Sequence, residues 1–183
     1  MNYLKTYEFF NFFKRKKVEK KYPSKEEKEG VYYNCEDIFY ELEDLGYKVE
    51  IVRVYDMGFR TESGEKLKDE MIYTTTSGVR MKEGTPMWNA IEVIVIKPID
   101  EPVRREQEFW KDVFPLKKRF INYLESLGFK KRFQRSVDVI KTGDDGMIMR
   151  YGAGPEIPIN GEYALVSKFR WSNEDWTPIP FFT

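Results

Sequence analysis

The sequence predicts an α+β fold, an antiparallel sheet with two helices on one face. Three observations carry this. Two helical segments end in the same way, at Gly46-Tyr47-Lys48 and at Gly128-Phe129-Lys130, each leading into a β-prone stretch. The segment IEVIVI at 91–96 is β-branched along its whole length, as a central strand requires. The helix ends also align at a constant offset, with Ile38, Leu42, Glu43 and Leu45 matching Phe120, Leu124, Glu125 and Leu127. This suggests a duplicated helix–strand–strand unit, ferredoxin-like or related, with halves at about 31–98 and 115–183. The plainer reading is that helix, glycine, aromatic residue and strand form a common junction.

Each element has its own local signals. Asn34 is a candidate N-cap for a helix over 35–45, with Asp37 as its capping-box partner. Ile38, Phe39, Leu42 and Leu45 give that helix an apolar face, and Gly46 ends it. Residues 48–55 alternate as a strand does, and 71–76 form another within a polar, Gly-punctuated stretch over 57–84. Pro98 and Pro102 close the first half. In the second half, Pro115 fits the first turn of a helix whose apolar face is Phe120, Leu124 and Leu127. A strand follows to about Ile140, then a turn at Asp145-Gly146, a return over 147–151, and a strand over 162–171. The Pro-broken apolar tail at 176–183 is expected to pack against the body.

A chain of 183 residues suffices for one domain with a substantial core. Aromatic residues make up 16%, more than a minimal core needs, so some rings belong at the surface, where they suit protein interfaces or base stacking. Basic and acidic residues number 31 each, which argues against a protein coating nucleic acid over its whole surface but allows a local basic patch. The sequence has one cysteine and no histidine. That removes disulfides within the chain, cysteine zinc sites, and Ser-His-Asp or Cys-His catalysis. Any enzyme here has carboxylates, Lys, Tyr or carboxylate-bound Mg²⁺ to work with. No cofactor motif is present. No apolar run reaches the ~20 residues of a membrane-spanning helix. Lys5, Glu8 and Asn11 interrupt the apolar residues of the N-terminus, so no signal peptide and no membrane association are expected.

Residues 1–30 read as an N-terminal arm and linker, and 31–183 as a single α+β domain. Leu4, Tyr7 and the Phe9, Phe10, Phe12, Phe13 pairs recur at helical spacing. A basic run follows, Lys14, Arg15, Lys16 and Lys17, continued by Lys20 and Lys21. Pro23 and Ser24 break the pattern, and 25–30 reads as a charged linker. Phe9, Phe10 and Phe13 are candidate anchors for a protein partner, and Lys14, Arg15, Lys16 and Lys17 candidate contacts to nucleic-acid phosphates. Against this, the rings can equally cover the domain's own sheet, and a short basic run is usually a solvated helix end.

Glu36, Asp37, Glu41, Glu43 and Asp44 make the first helix acidic, and Asp37 and Glu41 share a face that would suit one Mg²⁺. A solvated face near a helix N-terminus explains them as well. Gly152-Ala153-Gly154-Pro155 lacks nucleotide-loop spacing, and Pro155 removes a donor that a phosphate would need. Cys35 lies in the expected first turn of a helix, where its thiol is either activated or simply buried.

The opening MNYLKTYEFF, and the pattern Asp37-Ile-Phe-Tyr-Glu-Leu-Glu-Asp-Leu-Gly-Tyr47 followed by a strand, resemble small accessory proteins of tailed bacteriophages. The opening is also similar to peptides that direct proteins into phage proheads, although no clear cleavage site follows it. The resemblance implies a viral protein with an accessory or virion role, found in the host cytoplasm or the particle. Together these features give three expectations. The first is a non-enzymatic protein that binds a host or viral protein, as a virion component or an inhibitor of a host system. The second is a nucleic-acid-binding module using the basic arm. The third is a carboxylate-Mg²⁺ enzyme.

Overall fold

Ser24 starts the first helix. Its hydroxyl accepts the Glu27 amide at 3.1 Å, and the Glu27 carboxylate accepts the Ser24 amide at 2.6 Å. This reciprocal cap satisfies two donors that a first turn leaves open. Helix α1 therefore runs Lys25–Phe39 and takes in residues 25–30, where the sequence predicts a linker. Asn34 is not its cap. It lies within α1, where its side-chain amide donates to the Tyr123 hydroxyl at 2.8 Å. Val31, Cys35, Ile38 and Leu42 recur every three or four residues and are buried. A 3-10 turn over Tyr40–Leu42 carries the chain to Gly46, which takes φ 77°.

The structure, a computed structural model, describes residues 23–56, 71–75, 78–81, 88–143, 147–148 and 157–176. After α1 come β1 (Lys48–Tyr55), β2 (Met71–Thr75), β3 (Gly78–Met81) and β4 (Ala90–Ile99). Helix α2 (Glu106–Ser126) precedes β5 (Lys130–Gln134), β6 (Asp138–Lys141), β7 (Met147–Ile148), β8 (Ile157–Pro158) and β9 (Tyr163–Ser172). A 3-10 turn, Glu174–Trp176, ends the described chain.

Pro115 is interior to α2 rather than in its first turn. The burial of Phe109, Val113, Leu116, Phe120 and Leu124, at spacings of three and four, holds the helix together through it. Pro115 itself is exposed, so the hydrogen bond it cannot make is missing on the side open to water.

The described strands form a seven-stranded antiparallel sheet in the order β2-β3-β1-β4-β9-β5, with β6 also paired to β9. The strand predicted to run to Ile140 is thus two strands. β5 ends opposite Phe169, and β6 resumes opposite Val166 on the same neighbour. Of the predicted return over 147–151, Met147–Ile148 form β7, which pairs with β8 in a separate ribbon, and 149–151 lie outside the described residues.

The two halves are alike. Strands β4 and β9 form the central pair, β1 flanks β4, and β5 and β6 flank β9. The helix ends match bond for bond. The Tyr47 and Phe129 amides donate to Leu42 O and Leu124 O at 3.0 Å each. The Gly46 and Gly128 amides donate to Glu43 O and Glu125 O at 2.9 and 3.0 Å. Gly128 takes φ 82°, a left-handed conformation like that of Gly46. A doubled helix–strand–strand arrangement is compatible with a ferredoxin-like fold.

Both helices share one face of the sheet. Ile91, Val93 and Val95 of β4 and Leu165, Phe169 and Trp171 of β9 meet them in the main core. Phe39, Phe120 and Phe169 come from three elements and pack with ring centroids 5.5 to 6.1 Å apart. The intervening residues Ile94, Ile96, Ala164 and Val166 point to the other face, where Ile157 and Ile159 cover them. At the end of the described chain, Trp176 is buried against Phe129 and Trp88. The remaining tail, 177–183, lies outside the described residues, as do residues 1–22.

Candidate functional site

The face of the sheet away from the helices carries charge at its centre. Glu92 of β4 and Arg170 of β9 are register partners, and both are fully buried. The Arg170 Nε donates to the Glu92 carboxylate at 3.0 Å, and the Lys168 ammonium lies 2.9 Å from its other oxygen. The Phe133 ring covers both cations, 4.9 Å from the Arg170 guanidinium and 5.6 Å from the Lys168 ammonium. At the end of this face Arg132 pairs with buried Asp56 at 3.2 Å and donates to Ser172. Asn89 holds the Asp56 backbone through both ends of its side-chain amide. Glu92, Lys168 and Arg170 are paired with one another and buried, which suits a structural ion network. Two shallow depressions lie elsewhere, about 410 Å³ beside Arg104–Glu108 and about 430 Å³ between Tyr47, Pro98 and Pro158.

Charge is segregated between two stretches of the chain. Residues 24–47, containing α1, hold eight acidic and two basic residues. Residues 109–135, containing most of α2 and all of β5, hold eight basic and two acidic residues. The neutral total therefore hides two poles. The acidic stretch bears two exposed rings, Tyr33 and Tyr40, and the basic stretch one, Phe114.

Along α1 and into the 3-10 turn that follows it, the stripe facing away from the core reads Glu26, Gly30, Tyr33, Asp37, Tyr40, at helical spacing. Tyr33 is 55% and Tyr40 66% exposed. Glu36 and Glu41 flank them, and Glu41 reaches across to Arg119 of α2 at 2.9 Å. On α2, Phe114 is 59% exposed, with Lys111 three residues before it and Lys118 four residues after it. The neighbouring Lys117 is buried, its ammonium 4.6 Å from the Trp110 ring and 5.2 Å from Phe169. Burial holds its pKa down to about 8, with repulsion from Lys131 of β5 adding to the shift. Lys131 is the register partner of Trp171, whose ring packs 5.9 Å from Phe120 of α2, so Lys131 lies on the helix side of β5, while Lys130 points to the other face.

Other predicted sites resolve differently. Phe9, Phe10, Phe13, Lys14, Arg15, Lys16 and Lys17 lie outside the described residues, as do the Asp144–Asp145 turn and the 152–155 glycine loop. Cys35 is fully buried, and burial, reinforced by Glu36, pushes its thiol far above the usual range, so it is inert in the folded chain. Among the described residues no three Asp, Glu or Cys side chains converge to hold a metal. Asp37 and Glu41 are exposed. Lys28 is buried by α1, where its ammonium donates to Trp88 O at 3.0 Å and Trp176 O at 2.7 Å, and burial lowers its pKa to about 8. Among the described residues no helix is long and apolar enough to cross a membrane.

No protein-family model, curated protein or solved structure matches the chain. The basic pole on α2 and β5 is the feature that motif reading misses. A count of charge over windows of about 25 residues would have found it, because the two opposite excesses cancel only in the total.

Proposed function

We propose that the chain is a non-enzymatic binding protein whose partner is a protein with a basic surface. One observation carries this reading. Tyr33 and Tyr40 stand exposed on the outer stripe of α1, among Glu26, Glu36, Asp37 and Glu41. Exposed large rings are costly to leave in water, and tyrosine buries wide area at an interface with little loss of side-chain entropy. The surrounding carboxylates speed encounter with a basic partner and select against acidic ones. The phage resemblance of the opening residues suggests a host or virion protein as partner.

The test is capture from nuclease-treated host lysate by full-length protein and by a Tyr33→Ala/Tyr40→Ala variant. A protein retained by the first and lost by the second, with elution promoted by salt, is the expected result. Capture that the double substitution leaves unchanged, or a substrate turned over by the purified chain, overturns the reading.

A further inference from the structure

We infer that the opposite pole, formed by the outer flank of α2 and the edge strand β5, is a binding surface for single-stranded nucleic acid. The surface is distinct from the α1 stripe, and the inference stands or falls independently of it.

The cations come from two elements that the fold brings together. Lys111, Lys117 and Lys118 lie on one flank of α2. Lys131 lies on β5 opposite Trp171, whose ring packs 5.9 Å from Phe120 of α2, so it projects to the helix side, where its charge also lowers the Lys117 pKa. Lys111, Lys118 and Lys131 are exposed, and no carboxylate of a described residue pairs with them. The acidic residues on this flank, Glu106 and Glu125, lie at the two ends of α2. Glu106 is engaged by the Trp110 indole at 3.3 Å and by Arg104 at 3.1 Å.

Lysines on an edge strand commonly guard it against pairing with another sheet. That role accounts for Lys130 and Lys131. It does not account for a matching row on the adjacent helix, nor for an exposed phenylalanine set between two of its lysines. A concentrated row of cations complements a phosphate backbone, whose counterions it releases on binding. The Phe114 ring between Lys111 and Lys118 offers a stacking platform, which only an unpaired base can use. The occupant is therefore a single strand rather than a duplex. Sequence preference is expected to be weak, because stacking and phosphate contact read no base edge.

Fluorescence anisotropy with a labelled 20-nucleotide single strand and its duplex, over a salt series, tests this on the full chain. Wild-type protein should bind the single strand more tightly, with affinity falling linearly in log salt. Lys111→Ala/Lys118→Ala/Lys131→Ala should reduce the salt slope by about two. Phe114→Ala should weaken binding about tenfold and leave the slope unchanged. All four positions are exposed, so folding is expected to survive, and circular dichroism checks it. Absence of binding at low salt overturns the inference. So does binding that survives these substitutions but is lost when Lys14, Arg15, Lys16 and Lys17 are neutralised. Salt-sensitive self-association in place of binding overturns it too, since it would make the acidic pole of a second copy the occupant.

Discussion

Glu92 and Arg170 face each other across the two central strands, in register and without solvent exposure. A charge so placed depends on its partner, because an uncompensated ion in the interior is far more costly than none. Glu92→Gln removes the buried carboxylate that Arg170 and Lys168 share and should cost about 3–5 kcal/mol in urea unfolding. Arg170→Met leaves Lys168 as counterion and should cost less. Replacing Glu92, Lys168 and Arg170 together by Met should recover most of the loss. Equal costs for the two single variants would show that the network does not divide as its geometry indicates.

The two glycine caps share a backbone conformation but differ in their surroundings. Nothing lies within 4 Å of a Cβ added at Gly46, so Gly46→Ala carries only the left-handed penalty, about 1 kcal/mol. At Gly128 the added carbon meets Asn173 Nδ2 at 3.2 Å, the atom that donates to Leu127 O. Gly128→Ala should cost about 1 kcal/mol more, the worth of a disturbed hydrogen bond. Thermal unfolding of both variants reads the difference.

Lys117 and Lys28 give stability an alkaline dependence. Each has its pKa lowered from 10.5 to about 8 in the folded chain. Between those values the unfolded chain holds more protons, so stability rises with pH over that window, and the protonation penalty is complete below pH 8. Lys117 makes ring contacts and no hydrogen bond, so Lys117→Met should stabilise at pH 7 and remove about half of the rise. Denaturant midpoints from pH 7 to 10.5 give the comparison.

Cys35 should resist thiol reagents in the native state. It is fully buried in the main core, and its thiol is held protonated. Ellman's reagent is expected to titrate one thiol in denaturant and almost none without it, at a rate set by unfolding. Rapid labelling at pH 8 would mean that α1 opens locally.

Much of this fold was legible in local patterns. The bounds of β1, the central place of β4, and the glycine ends at 46 and 128 follow from alternation, β-branching and capping. Three features were not. Ser24 and Glu27 carry the capping-box spacing, but the neighbouring basic run and Pro23 favoured reading a linker. Pro115 is an ordinary helix-start signal, and only the spacing of Phe109 and Val113 ahead of it shows that tertiary burial overrides the proline. The burial of Glu92, Lys168 and Arg170 is a pairing between distant strands, which no local window contains. The candidate surfaces were half legible. The acidity of α1 was plain, while the exposure of Tyr33 and Tyr40 depends on which stripe the core takes up.

The pairing of β4 with β9 has a consequence for how the chain is made. All of α2, β5 and β6 lie between these partners in sequence. A chain leaving the ribosome therefore holds residues 91–96, an apolar β-branched run, without their second neighbour until β9 has been translated. Such segments recruit chaperones or aggregate when the wait is long. Expression with slowed translation upstream of β9 should then lower the soluble yield, while slowing after β9 should not.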